Sequence, residues 1–357
     1  MDFTFSPEQQ ELREAVRALA ADRSSSAHVR AAMEAEAPYD AALWRGLGQE
    51  MGLLGLGVDE SLGGAGGGFV DAAVVIEESG RALMPVPVLP TLVAAHVLAA
   101  SGDVGAEALG EVAAAEAVAA IGVADSGLSA GRIGFGGDGS GVTASGTVDQ
   151  VVDGAAATYL LLAGRDGLWL ARSDSAGVSV TSRQTLDPTR RQAAVRLEKS
   201  PVVGLGDAVA SQRAVDVLRV AYAVESVGVA RRCLETTVDY LKTREQFGRA
   251  IGSFQALQHR VADVAVEVEA AMSTAYYAAW AVDASPDELP VVAPLALAVC
   301  AETAWHAAAE AIQLHGGIGF TWEHDAHLYF KRATTTRLLL GDVHEQRRVV
   351  ASRAGLF

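Results

Sequence analysis

The sequence is short of aromatic residues, cysteine and positive charge, and each shortage narrows what the chain can be. Phe, Trp and Tyr make up 6% of residues while half are hydrophobic, so the interior is expected to be built mostly from Ala, Val and Leu. Lys and Arg number 28 against 44 Asp and Glu, a formal net charge of −16. That balance argues against a nucleic-acid binder, because phosphate affinity at large needs a basic surface. It leaves room for one local basic pocket. Cys233 and Cys300, the only cysteines, both fall in helical patterns and read as buried free thiols of a reducing compartment. A leader is not evident: MDFTFSPEQQ has neither a basic start nor an apolar stretch. The apolar runs at residues 92–100 and 112–123 are interrupted and too short to span a bilayer. No membrane partner and a cytoplasmic location are therefore expected. A chain of 357 residues can bury several cores, so two or three domains are expected.

Three compositional regimes follow one another. Ser6-Pro7-Glu8-Gln9 is a capping box with proline in the first helical position, opening a helix to about Ala21. Asp40 caps the next helix, which carries Leu43, Trp44 and Leu47 and stops at Gly52. Residues 58–68, VDESLGGAGGG, form a glycine-rich loop, and Asp71 is expected to cap a helix running to Gly80. Residues 1–118 are thus a mainly helical domain. Residues 119–203 change period, with short β-rich runs such as ATYLLLAGR, GLWLARSD and RQAAVRLEKS separated by Gly, Asp and Ser. They read as a middle β-barrel or sandwich. Residues 204–357 return to helix, and no repeat or low-complexity linker interrupts them.

Two strings in the last region carry the chemistry. Residues 240–259 read YLKTREQFGRAIGSFQALQH, between two amphipathic helices that meet at a corner punctuated by Gly248 and Gly252. The first helix has the apolar steps Val220, Val224, Val227, Leu234, Val238 and Leu241, with Arg231 taking one slot. Arg244, Phe247 and Gln255 sit at the corner: an arginine beside a helix N-terminus suits a diphosphate, and a ring and an amide suit a planar base. Residues 311–332 read AIQLHGGIGFTWEHDAHLYFKR, where Gln313 closes a helix and Gly316 and Gly317 let backbone approach a ligand without a Cβ in between. In letters, order and separation the two strings resemble the acyl-CoA dehydrogenase family, whose C-terminal domain carries R-x-x-F-G, F-Q-x-x-Q-H and Q-x-x-G-G-x-G. The glycine loop and the EESGRAL that follows it resemble that family's N-terminal domain.

The resemblance implies a mainly α chain with a central β domain: an N-terminal helical domain, a middle β-barrel or sandwich, and a C-terminal four-helix bundle. It also implies FAD shared across a subunit interface. Arg244, Phe247, Gln255, Gln313, Gly316 and Gly317 would hold the adenosine-diphosphate end of a FAD whose flavin lies in the neighbouring subunit. Asp216 and Arg219 stand where the family's D-x-x-R contacts acyl-CoA; an ion pair on a solvated helix face is the alternative reading. Glu323, His324 and His327, with His344 not far off, have the residue types of metal ligands, and two histidines three apart on a helix can share a metal. The family needs no metal, so packing or hydrogen bonding is the better account. Gly134 to Gly139 fit G-x-G-x-x-G but lack a following helix, and are expected to form a turn between strands.

Two departures from the family matter most. Aligning LLLGDVHEQRR on Gln346-Arg347 puts Leu340 at the position of the catalytic glutamate, and the second location used by some members is Leu218. Asp342 is the nearest carboxylate and a weak substitute. The T-E-P-x-x-G-S-D run that lines the flavin ring is replaced by AAIGVADSGLSAGR. Loss of a base alone would cost about 10²–10⁴ in rate. Loss of base and flavin groove together resembles the degenerate subunit of bacterial α₂β₂ acyl-CoA dehydrogenases, several of which act in steroid side-chain degradation. The expectation is therefore a non-catalytic partner of an FAD-dependent acyl-CoA dehydrogenase, passing electrons to an electron-transfer flavoprotein or an equivalent acceptor. One rival is a self-sufficient homotetramer using Asp342 or water as base. The other is a flavin-free scaffold or CoA-thioester binding protein.

Overall fold

A computed structural model describes residues 4–124, 133–137 and 142–356. Helix α1 (Pro7–Arg23) starts as expected, with Ser6 Oγ accepting from Gln9 N–H and the Gln9 side chain returning to Ser6 N–H at 3.1 Å. Helix α2 (Ser26–Glu34), capped by Ser25, is nine residues long and fully buries Val29 alone, a length too short for a helical pattern to be read from sequence. Helix α3 (Ala41–Arg45) is capped by Asp40 and runs on through a wide turn to Glu50, and Gly52 takes φ +68° just beyond it. Helix α4 (Phe69–Arg81) corrects one expectation. Gly68 is its cap residue, and Asp71 sits three positions in, where its carboxylate accepts from Gly68 N–H at 2.7 Å. Helices α5 (Val88–Ala99) and α6 (Ala106–Ala113) complete this part.

The strands are β1 (Ala119–Val123), β2 (Ile133–Gly137), β3 (Val142–Val152), β4 (Tyr159–Ala163), β5 (Leu168–Arg172), β6 (Val178–Arg183) and β7 (Gln192–Gly206). They form one sheet in the order β1-β4-β5-β7-β3-β2, with β6 also on β7. The long β7 holds two registers, and the bulges in its pairing with β3 bend the sheet. The G-x-G-x-x-G stretch begins in β2 rather than in a turn, and its Asp138 and Gly139 lie outside the described residues. Most of the segment standing for T-E-P, residues 125–132, also lies outside them.

Helices α7 (Ala208–Thr243), α8 (Gln255–Ala284), α9 (Leu289–His315), α10 (Ala326–Thr336) and α11 (Val343–Arg353) follow. The axis of the molecule is α7, 36 residues long and buried along most of its length. Helices α4 and α7 cross at two glycines: a Cβ on Gly228 would lie 2.0 Å from Glu77 O, and one on Gly80 2.6 Å from Glu225 O. Such an approach admits no side chain. Arg231, the charged slot in the apolar period of α7, pairs there with Glu77, which also takes Arg13 at 3.1 Å and the Tyr276 hydroxyl at 2.5 Å. One carboxylate thus ties α1, α4, α7 and α8 together. A second hub joins the sheet to the helices. Arg332 binds Asp187 at 2.7 Å and Glu225 at 3.0 Å, and Arg190 binds the same Glu225. Both cysteines are buried and free, and burial pushes the Cys233 thiol up to about 12. Among the described residues one stretch, α9 and the turn after it, is long and apolar enough to cross a membrane; its most apolar window is 61% buried within the bundle.

Candidate functional site

The corner after α7 is a two-residue hairpin. Strands β8 (Glu245–Gln246) and β9 (Arg249–Ala250) pair, and Phe247 and Gly248 between them have φ +54° and +78°. Positive φ at both central positions is the primed turn that suits tight hairpins. Glycine adopts it freely; a bulky ring in that region is strained, of order 1–3 kcal/mol. The strained ring gains little packing in exchange: Phe247 meets Phe254 edge-on with centroids 6.1 Å apart and is 91% exposed. The two glycines serve different ends. Nothing stands near Gly248, so its φ is the requirement, while a Cβ on Gly252 would meet Leu241 O at 2.8 Å.

Arg244 and Gln255 are exposed, and among the described residues neither side chain has a partner. Gln255 is the first residue of α8, whose N-terminus no side chain caps. The second string lies against the first. Tyr240 near the end of α7 stacks on His315 at the end of α9 with ring centroids 4.5 Å apart, and His315 stacks on His324 at 4.3 Å. Gln313, Gly316 and Gly317 are exposed, Gly316 has φ +63°, and a Cβ on either glycine would meet nothing within 4 Å. Phe320 and Trp322 beyond them are 87% and 65% exposed. The fold therefore gathers open backbone, a free guanidinium, two free amides and an exposed ring at one end of the bundle. That set fits the diphosphate and planar base of a dinucleotide.

A second region is a cleft of about 400 Å³ between the sheet and α7. Its wall includes Ala163, Gly164, Arg165, Ser211, Arg219 and Leu340. Arg219 is buried, not on a solvated face, so that alternative for the D-x-x-R pair fails in its premise. Its guanidinium binds Asp216 at 2.7 Å and Gln346 at 3.0 Å; Asp216 in turn accepts from Arg353 at 2.9 Å. Burial pulls the Arg219 pKa down, against the pull of Asp216. Leu340 lies on the wall with φ +59°, its carbonyl accepting from Gln346 at 2.6 Å. Leu218 is 2% exposed in the core. Asp342 caps α11, accepting from Glu345 N–H at 2.8 Å, and is absent from the cleft wall. The carboxylate on that wall belongs to Glu345, which sequence reasoning missed. The D-V-H-E spacing is a capping-box signal that could have drawn attention to it.

The metal reading loses its helix: Glu323 and His324 precede α10, and only His327 is in it. His324 Nδ1 accepts from Ala326 N–H at 3.1 Å, and burial lowers its pKa, as a neutral acceptor ring requires. Among the described residues no group of three His, Cys, Asp or Glu side chains could hold a metal.

Comparison with known proteins matches the acyl-CoA dehydrogenase N-terminal domain over residues 6–109 and the acyl-CoA dehydrogenase C-terminal domain over residues 205–355. The acyl-CoA dehydrogenase IpdE2 of Mycobacterium tuberculosis is 40% identical over 355 residues, covering 97% of this chain and 96% of that protein. Among solved structures, a variant of the Tcur3481–Tcur3483 steroid ACAD superimposes with a TM-score of 0.90 at 31% identity, covering 98% of each chain. The ChsE4–ChsE5 complex from Mycobacterium tuberculosis does so with 0.91 at 28% identity over the whole of both chains.

Proposed function

This chain belongs to the acyl-CoA dehydrogenase family of oxidoreductases, and from that premise we propose that it is the non-catalytic subunit of a heteromeric enzyme that α,β-dehydrogenates an acyl-CoA thioester. Members of the family bind FAD, which when bound supplies the hydride acceptor. The observation that carries the reading is the contrast on the cleft wall. Leu340 stands where the motif has its proton-accepting glutamate, and Asp342 is spent on capping a helix. In the open corner Arg244 would neutralise the diphosphate, and Phe247 and Gln255 would flank the base. The backbone of Gly316 and Gly317 would approach the same cofactor. The partner subunit would supply the flavin groove, the base and the acyl pocket. The likeness to the Tcur3481–Tcur3483 steroid ACAD supports a steroid-derived acyl chain for this chain, and the likeness to the ChsE4–ChsE5 complex supports a heteromeric assembly. An electron-transfer flavoprotein is the expected acceptor.

One observation favours the self-sufficient rival, namely that Glu345 brings a carboxylate to the cleft. Flavin absorbance and acyl-CoA-dependent reduction of an artificial acceptor separate the readings. We expect a nearly colourless, inactive chain alone, and a yellow, active complex once it is co-expressed with a glutamate-bearing dehydrogenase chain. Yellow, active protein from this chain alone, inactivated by Glu345→Gln, overturns the proposal. A complex that remains colourless supports the flavin-free scaffold instead.

A further inference from the structure

Away from both regions, a cleft of about 220 Å³ lies among α1, α2, the end of α4, α7 and α10. Arg17, Arg81 and Arg232 line it. Arg17 Nε binds Glu78 at 2.8 Å and Arg81 Nη2 binds Glu235 at 2.6 Å, yet Arg17 Nη2 and Arg81 Nε are buried with no partner among the described residues. Buried donors of native proteins are nearly always hydrogen-bonded, so two orphaned guanidinium nitrogens at one cleft call for an acceptor. Asp325, the carboxylate on the lining, is already held by Arg30 at 2.6 Å and the Ser26 hydroxyl at 2.7 Å. The lining and its ion-pair partners set Arg17, Arg30, Arg81 and Arg232 against Glu78, Glu235 and Asp325. That is a local surplus of positive charge in a chain of net charge −16. Ser26, also on the lining, is the first residue of the nine-residue α2, so a helix N-terminus adds its dipole.

We propose that this cleft binds a tetrahedral oxyanion, either inorganic phosphate or the phosphoryl group of a small phosphorylated molecule. Guanidinium forks match phosphate oxygens in geometry as well as charge, and the volume admits a phosphoryl group with a little of what it is attached to. Neither Arg219 nor Arg244 takes part, so the proposal stands apart from the subunit role argued above.

Isothermal titration calorimetry of the full chain at low salt, with inorganic phosphate, glycerol 3-phosphate (a monophosphate without the adenine the corner would take) and acetate, tests it. One saturable site is expected for phosphate or the monophosphate, and none for acetate. Tighter binding of phosphate identifies the free ion, and tighter binding of the monophosphate a phosphorylated molecule. Arg17→Gln should weaken binding about tenfold or more, the loss of one charge-assisted contact. Ala21→Glu, which puts a carboxylate on the exposed rim one helical turn from Arg17, should abolish it even if Arg17→Gln fails to fold. Arg183→Gln on the exposed strand β6 should leave it unchanged. No saturation by millimolar phosphate or monophosphate, or binding undiminished in a folded Ala21→Glu chain, overturns the proposal.

Discussion

The open corner and the cleft beside Leu340 are built from similar residues put to opposite use. In the cleft, Arg219, Asp216, Gln346 and Arg353 satisfy one another, and Asp216 is 1% exposed. At the corner, the side chains of Arg244, Gln255 and Gln313 have no partner among the described residues, and Phe247 holds a strained φ while almost wholly exposed. A polar group that has found its partners within the chain contributes to stability. One left open at the surface is hydrated and stays available to a ligand. The difference teaches that burial has committed the charges of one region to each other and left the polar groups of the other facing solvent.

The largest expected effect breaks the buried side. Asp216→Ala strands Arg219 and Arg353 without their carboxylate, and removing one partner of a buried ion pair costs about 3–5 kcal/mol. Urea denaturation should show that loss with the m-value unchanged. A loss within about 0.5 kcal/mol, the range of ordinary surface substitutions, would mean the pair is solvated and the contrast false.

Arg244→Ala probes the open side and should leave stability unaltered. A charge-assisted contact to a diphosphate is worth about 1.5–3 kcal/mol, so FAD retention by the complex should weaken by roughly one to two orders of magnitude. Unchanged flavin affinity would remove the corner from the proposed function.

Asp342 sharpens the comparison, because two substitutions separate its roles. As a helix cap, Asp342→Ala should cost about 1 kcal/mol, while Asp342→Asn, an equally good cap, should be nearly silent in the melting curve. Asn cannot serve as a base. Activity of the wild-type chain alone, lost in Asp342→Asn, would restore the self-sufficient homotetramer.

The smallest expected effect is that of Leu340→Glu. A proton acceptor contributes only when the hydride acceptor is held within reach of the β-carbon. The isolated chain should therefore gain no acyl-CoA-dependent reduction of an artificial acceptor, and turnover of the complex should stay as it was. A gain of activity in the isolated chain would mark the cleft as a working site lacking one group.

How far the sequence carried depends on the range of the forces involved. The Ser6 and Asp40 caps, the alternation that becomes β3 to β7 and the long apolar periods of α7 and α8 are legible because a few neighbouring residues decide them. The same holds for the Phe247-Gly248 turn, whose glycine marks the corner in one dimension. Other features needed the assembled chain. The nine-residue α2 is too short to announce itself, and Asp71 reads as a cap until Gly68 is seen to occupy that place. Glu323 and His324 look helical until the stack on His315 holds them in the turn before α10.

The physical division is between what backbone and near neighbours determine and what burial determines. Sequence alone determined the order of helix, sheet and helix and the two strings that carry the family resemblance, with Leu340 aligned where that family has a glutamate. Only the tertiary structure decided that Asp216 and Arg219 are interior, that Asp342 is a cap and that Glu345 reaches the cleft. It also decided that Arg17 and Arg81, 64 residues apart, share one cleft with orphaned donors. A charge takes its meaning from the dielectric and the partners around it, and long-range packing sets both.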